Sequence, residues 1–73
     1  MRIIYQGACF PLDAYAMRRE DNEIRLENVY KEGRVIIITC LISYSAKRLI
    51  DDIRKAYKDG EKIYSVDDWF GRP

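Results

Sequence analysis

The side chains with reactive potential are two carboxylate pairs, Asp51-Asp52 and Asp67-Asp68, and two cysteines, Cys9 and Cys40; histidine is absent. A thiol nucleophile needs an activating base beside it. Without histidine, either cysteine would depend on a lysine, an aspartate or a helix N-terminus. Cys40 stands within an apolar run and is expected to be inert, while Cys9, close to Gly7, is expected nearer the surface. Two cysteines cannot complete a tetrahedral zinc site from one chain. Asp51 and Asp52 fall on a helical stretch, where neighbours point about 100° apart, so they cannot chelate one ion together. They suit i, i+4 ion pairs instead: Lys47-Asp51, Arg48-Asp52 and Asp51-Lys55. Asp67-Asp68 brings too few oxygens for magnesium and suits a turn cap or contact with a basic partner. Glycines at 7, 33, 60 and 71 stand singly, so no phosphate-cradling loop exists. These residues point away from an enzyme, and no cofactor or metal is expected.

Two surfaces could bind a macromolecule. Trp69 and Phe70 are large aromatics beside two aspartates near the end of the sequence. Tryptophan is favoured at interface hot spots, so Asp67, Asp68, Trp69 and Phe70, joined by Tyr64, form the candidate protein-binding set. The same segment could instead fold back and cap an open sheet face. The second surface is a basic stripe, Lys47, Arg54 and Lys58, within about 40° of one another on a helix. Arg48 and Lys55 flank it, and Lys62 with Tyr64 could extend it. Asp51 lies within that stripe and would repel phosphate. No established nucleic-acid-reading signature accompanies it.

The segment carrying these residues reads as a helix. Ala46, Leu49, Ile50, Ile53, Ala56 and Tyr57 recur at i, i+3, i+4, i+7 and fall within about 120° of arc, with every charge outside it. Ser45, in competition with Ser43, suits the N-cap, and Gly60 suits the C-cap after Lys58. Residues 45–59 would span roughly 22 Å.

Residues 2–6 read as a short strand ended by Gly7. Residues 9–12 read as a connection, because Pro11 forces Phe10 into an extended conformation. Residues 13–20 are readable as strand or helix. The helical stripe would place Arg19, Glu20 and Glu23 at apolar positions, so strands over 13–20 and 23–30 with a turn at Asp21-Asn22 are preferred. Val29 breaks strand parity and could mark a bulge. Lys31-Glu32-Gly33-Arg34 reads as a hairpin loop. Residues 35–42 have no polar alternation, the pattern of a central strand covered on both faces. A short strand over 63–66 follows the helix, and 71–73 reads as a frayed tail. The architecture expected is α+β: a small antiparallel sheet of four or five strands packed on one amphipathic helix near 45–59.

Bulk properties set the remaining bounds. Seventy-three residues make one domain, 1–73. A core of this size rarely supplies more than roughly 3–5 kcal/mol of net stability, so a partner or self-association is a natural supplement. An apolar content of 48% is too high for disorder. Thirteen basic and twelve acidic residues give a net charge of +1, evenly divided along the chain, so no overall field draws it onto nucleic acid or a membrane. Residues 35–42 are too short to span a bilayer as a helix. Gly7-Ala8-Cys9 resembles a lipoprotein cleavage site only superficially, since Ile3-Ile4-Tyr5 is too short for a signal peptide's apolar region. Free thiols rather than a disulfide fit this pattern, and a cytoplasmic location is expected. The function expected is that of a small non-enzymatic protein-binding factor. An inhibitor encoded by a phage or mobile element, directed at a bacterial defence enzyme or a host nucleic-acid-handling enzyme, fits that description. The alternative is a small nucleic-acid-binding regulator using the basic stripe.

Overall fold

A computed structural model describes residues 1–71; the last two residues of the tail expected at 71–73 lie outside them. β1 (Arg2–Tyr5) and β2 (Ala8–Pro11) pair antiparallel, Arg2 opposite Pro11 and Tyr5 opposite Ala8. Between them Gln6 and Gly7 both take positive φ, 51° and 75°, the backbone that lets a two-residue turn follow the twist of its strands. The connection expected at 9–12 is therefore mostly a strand. Pro11 is accommodated because it ends an edge strand, where no ladder bond is asked of its missing N–H.

A 3-10 turn, Leu12–Ala14, leads into β3 (Tyr15–Glu20), which pairs antiparallel with β4 (Glu23–Asn28) through the Asp21-Asn22 turn. Strands rather than a helix thus occupy this stretch, shorter than 13–20 and 23–30. Val29 forms no bulge within β4, because that strand stops at Asn28. The Asn28 side-chain oxygen accepts from the backbone amides of Tyr30 and Lys31, both at 2.8 Å, and starts the loop instead. β5 (Val35–Thr39) returns antiparallel to β4, with Gly33 at φ 81° in the connection.

α1 (Ser43–Lys58) starts two residues before the expected range 45–59, and its cap lies three residues before Ser45. Ile42 occupies the cap position and no side chain caps the helix there. Its other end is as the sequence indicates. Gly60 takes φ 80°, its amide donates to the Tyr57 carbonyl at 3.2 Å, and Glu61 donates to Ala56 at 3.0 Å, the paired bonds of a Schellman cap. β6 (Ile63–Ser65) and a short helix α2 (Val66–Phe70) follow.

The six strands form two three-stranded sheets, β2-β1-β6 and β3-β4-β5. The class is α+β, but the single antiparallel sheet of four or five strands is corrected. β6 lies parallel to β1, Arg2 opposite Ile63 and Ile4 opposite Ser65. Pairing across almost the whole chain leaves no local periodicity to read.

One apolar cluster joins the layers. Ala46, Leu49, Ile50 and Ile53 of α1 are buried with Ile24 and Leu26 of β4, Ile38 of β5, Ile3 and Phe10 of the first sheet, Leu12 and Val66. α1 lies over β3 and β4. Ala56, at the end of the helical stripe, is half-buried and Tyr57 is exposed.

β5 departs most from its sequence pattern. It is an edge strand, not a central one. Ile38 is fully buried under the helix, but Val35 and Ile37, on the opposite face, remain 40% and 41% exposed. The other strands of that outer face carry charge: Arg18 meets Glu20 at 2.9 Å and Glu27 at 3.1 Å. Such solvent-exposed pairs contribute little to stability, but they keep β3 and β4 hydrated beside the apolar β5.

Both cysteines are free, Cys40 buried and Cys9 exposed. Burial pushes the Cys40 thiol above its ordinary range, which lowers its reactivity because the thiolate is the nucleophile. Cys9 accepts a weak bond from Arg2 Nε at 3.3 Å. Under native conditions an alkylating reagent is expected to modify Cys9 alone, with Cys40 reacting only after unfolding. Reductant should leave the melting temperature unchanged. Intact mass before and after denaturation checks both points; equal, rapid labelling of the two thiols, or a stable two-hydrogen loss, would contradict them.

Candidate protein-binding surface

α2 exists because its first turn is satisfied. Ser65 caps it, its hydroxyl accepting from the Asp68 amide at 3.1 Å. Asp67 and Asp68 lie in that first turn, where negative charge meets the positive end of the helix dipole. The spacing Ser65-x-x-Asp68 is a helix-start signal, and because of it the strand expected over 63–66 stops at Ser65 and Val66 opens the helix.

Asp67 performs a second task. Its two oxygens accept from the backbone amides of Gln6 at 2.7 Å and Gly7 at 3.0 Å. A carboxylate thus clamps the β1–β2 turn at the residue, Gln6, whose positive φ is unfavourable for a side chain. The contact spans 60 positions of sequence, so no local pattern announces it.

Against this support, Trp69 is half-buried and packs on the core cluster, while Phe70 is 43% exposed. Their rings meet edge to face, with centroids 5.3 Å apart and planes at 87°, an arrangement the ring quadrupoles favour. Trp69 closes one side of a shallow depression of about 320 Å³ whose other walls are Arg48, Asp51, Asp52 and Lys55 of α1. Tyr64 is tied to one wall of it: its hydroxyl donates to Asp52 Oδ2 at 2.6 Å. Asp52 is thereby committed to Tyr64. The expected i, i+4 pairs Lys47-Asp51, Arg48-Asp52 and Asp51-Lys55 do not close to ion-pair distance among the described residues, where the ion pairs involve Asp13 and the β3–β4 side chains instead. Further along the same helix face the Arg48 guanidinium stacks over the exposed Tyr44 ring at 6.0 Å.

The five residues expected to form a partner surface are thus brought together, with different freedoms. Asp67 and Tyr64 hold the surface in place, Trp69 seats it on the core, and Asp68 and Phe70 face solvent. Tyr44 and Arg48 join them through the fold.

The basic set behaves differently. Lys47, Arg54 and Lys58 are exposed on α1, whereas Lys55 turns toward the Trp69 depression. Arg54 lines a separate cleft of about 440 Å³ with Leu12, Asp13, Tyr15, Met17 and Tyr57. There the Asp13 carboxylate, hydrogen-bonded to the Tyr57 phenol and adjacent in charge, raises that phenol above its ordinary range. The stripe therefore carries two acidic neighbours, Asp51 within it and Asp13 beside Arg54.

The fold and this surface define a small two-sheet α+β domain presenting an aromatic, mixed-charge face supported by its own core. No protein-family model matches the chain, and no curated protein or solved structure matches it. Among the described residues no helix is long and apolar enough to cross a membrane.

Proposed function

We propose that this protein is a small non-enzymatic binding factor that acts in the cytoplasm by occupying the surface of another protein. The observation that supports this reading most is the pairing of a half-sunk Trp69 with an outward Phe70 beside the Arg48, Asp51, Asp52 and Lys55 depression. An anchored aromatic with an exposed one beside it, rimmed by charges of both signs, has the anatomy of a binding hot spot. Asp68, free of the tie that holds Asp67, steers the face toward a basic surface. Enzymes that handle nucleic acid present such surfaces, and inhibition of one of them, of the kind mobile elements direct against bacterial defences, is the form this function takes here.

The deciding experiment is affinity capture from host-cell lysate, with and without nuclease, using wild type and Phe70→Ala. A protein partner should be retained after nuclease treatment and lost, or weakened about tenfold, in the variant. Capture abolished by nuclease would favour the nucleic-acid reading through Lys47, Arg54 and Lys58. That reading demands a steep salt dependence, a log–log slope of about −2.7 for three phosphate contacts on duplex DNA. Unchanged capture by Phe70→Ala would remove the face proposed here.

A further inference from the structure

The free edge of β5 carries an inference independent of the aromatic face. β5 borders the β3-β4-β5 sheet, and its outward backbone groups follow from its pairing. The Asn28 amide donates to the Arg34 carbonyl at 2.9 Å, and the Cys40 amide donates to the Asn22 carbonyl at 2.8 Å. Even-numbered residues of this strand therefore direct their backbone groups at β4, and antiparallel alternation turns those of Val35, Ile37 and Thr39 outward. The side chains of these same three residues lie on the exposed outer face.

Edge strands in stable monomers are blunted by charge, proline, a bulge or brevity. The other edges of this protein follow that rule: β3 carries Arg18, Arg19 and Glu20, β2 ends in Pro11, and β6 has three residues. β5 has none of these protections. From Val35 to Ala46 there is no charged residue, in a chain that is 34% charged. The apolar strip continues past the strand into Leu41, 96% exposed, and Ile42, also exposed.

We propose that β5 pairs antiparallel with β5 of a second copy of this chain, about a twofold axis at Ile37, to give a continuous six-stranded sheet. The strand is its own complement in that register. Ile37 lies opposite Ile37 of the second copy, and Val35 lies opposite Thr39. All three are hydrogen-bonded pairs, so every outward amide meets an outward carbonyl and the two outward isoleucines touch. Lack of charge removes the like-charge repulsion that identical strands would otherwise meet.

The pairing is confined to Val35–Thr39, because Gly33 at φ 81° ends the extended backbone on one side and α1 begins at Ser43 on the other. Closure is isologous, so association ends at two.

Sedimentation equilibrium across a wide concentration range, combined with amide hydrogen exchange, tests this. The wild type should be a dimer, with the Val35, Ile37 and Thr39 amides protected along with those of Ile36 and Ile38. Ile37→Lys places two ammonium groups opposite each other at the axis and should raise the dimer dissociation constant by about two orders of magnitude or more. In the resulting monomer only the odd-numbered amides become fast, because the even-numbered ones are bonded to β4. Thr39→Lys, at an exposed position away from the axis, supplies the same test should Ile37→Lys fold poorly. A monomeric wild type at high concentration, a dimer indifferent to both substitutions, or an open-ended oligomer would each overturn the proposal. None of these outcomes bears on capture through Phe70.

Discussion

Ile53→Ala is expected to lower the unfolding free energy by about 2–4 kcal/mol, the range for truncating a buried branched aliphatic side chain. Ile53 is 1% exposed and stands in the middle of the α1 stripe, among Leu49, Ile50, Leu26 and Ile38 in the same core cluster. The cost has two parts, lost transfer of three carbons from water and the cavity left behind. The fold has little reserve against it, since a core of this size yields roughly 3–5 kcal/mol in total. Chemical denaturation should show the midpoint collapsing, with the protein at the edge of stability without denaturant. A melting temperature unaltered by this substitution would mean that α1 does not pack on the β3-β4-β5 sheet.

The second large effect separates two adjacent aromatics. Trp69→Ala should lower stability by about 2 kcal/mol or more, because Trp69 packs on the core and walls the depression against α1. Phe70→Ala should move the melting point little, since Phe70 is 43% exposed and, unlike Trp69, is not packed against the core cluster. Its effect belongs to affinity. Measured together, thermal unfolding and partner capture should give opposite profiles for the two variants. A Trp69→Ala protein as stable as wild type would show that the indole is not a structural seat. A strongly destabilised Phe70→Ala protein would show that the outer ring belongs to the fold and not to an interface. Loss of Trp69 should also speed exchange at the Gln6 and Gly7 amides, because α2 carries the Asp67 carboxylate that binds them.

What could be read from the residues alone is what short-range physics controls. The α1 stripe, the Gly60 cap, the Asp21-Asn22 turn and the positive-φ glycine before β5 involve groups within a few positions of each other. Steric and hydrogen-bonding preferences act there whatever the rest of the chain does. The candidate partner residues were legible by type, since two aromatics beside two aspartates are conspicuous in so small a chain. Their division of labour was not. Asp67 is a turn clamp only because the fold brings Gln6 and Gly7 to it, and Tyr64 is a support only because β6 lies beside Asp52.

Tertiary structure alone decided the two-sheet arrangement and the exposure of β5. The apolar run at 35–39 has the composition of a strand covered on both sides, and hydrophobicity records a need for burial without saying what meets it. Within one chain the helix satisfies only the Ile36 and Ile38 face, because α1 lies over β3 and β4 and the parallel β1–β6 pair takes the remaining strands into another sheet. Side chains alternate across a strand, so whatever covers Ile38 cannot also cover Ile37.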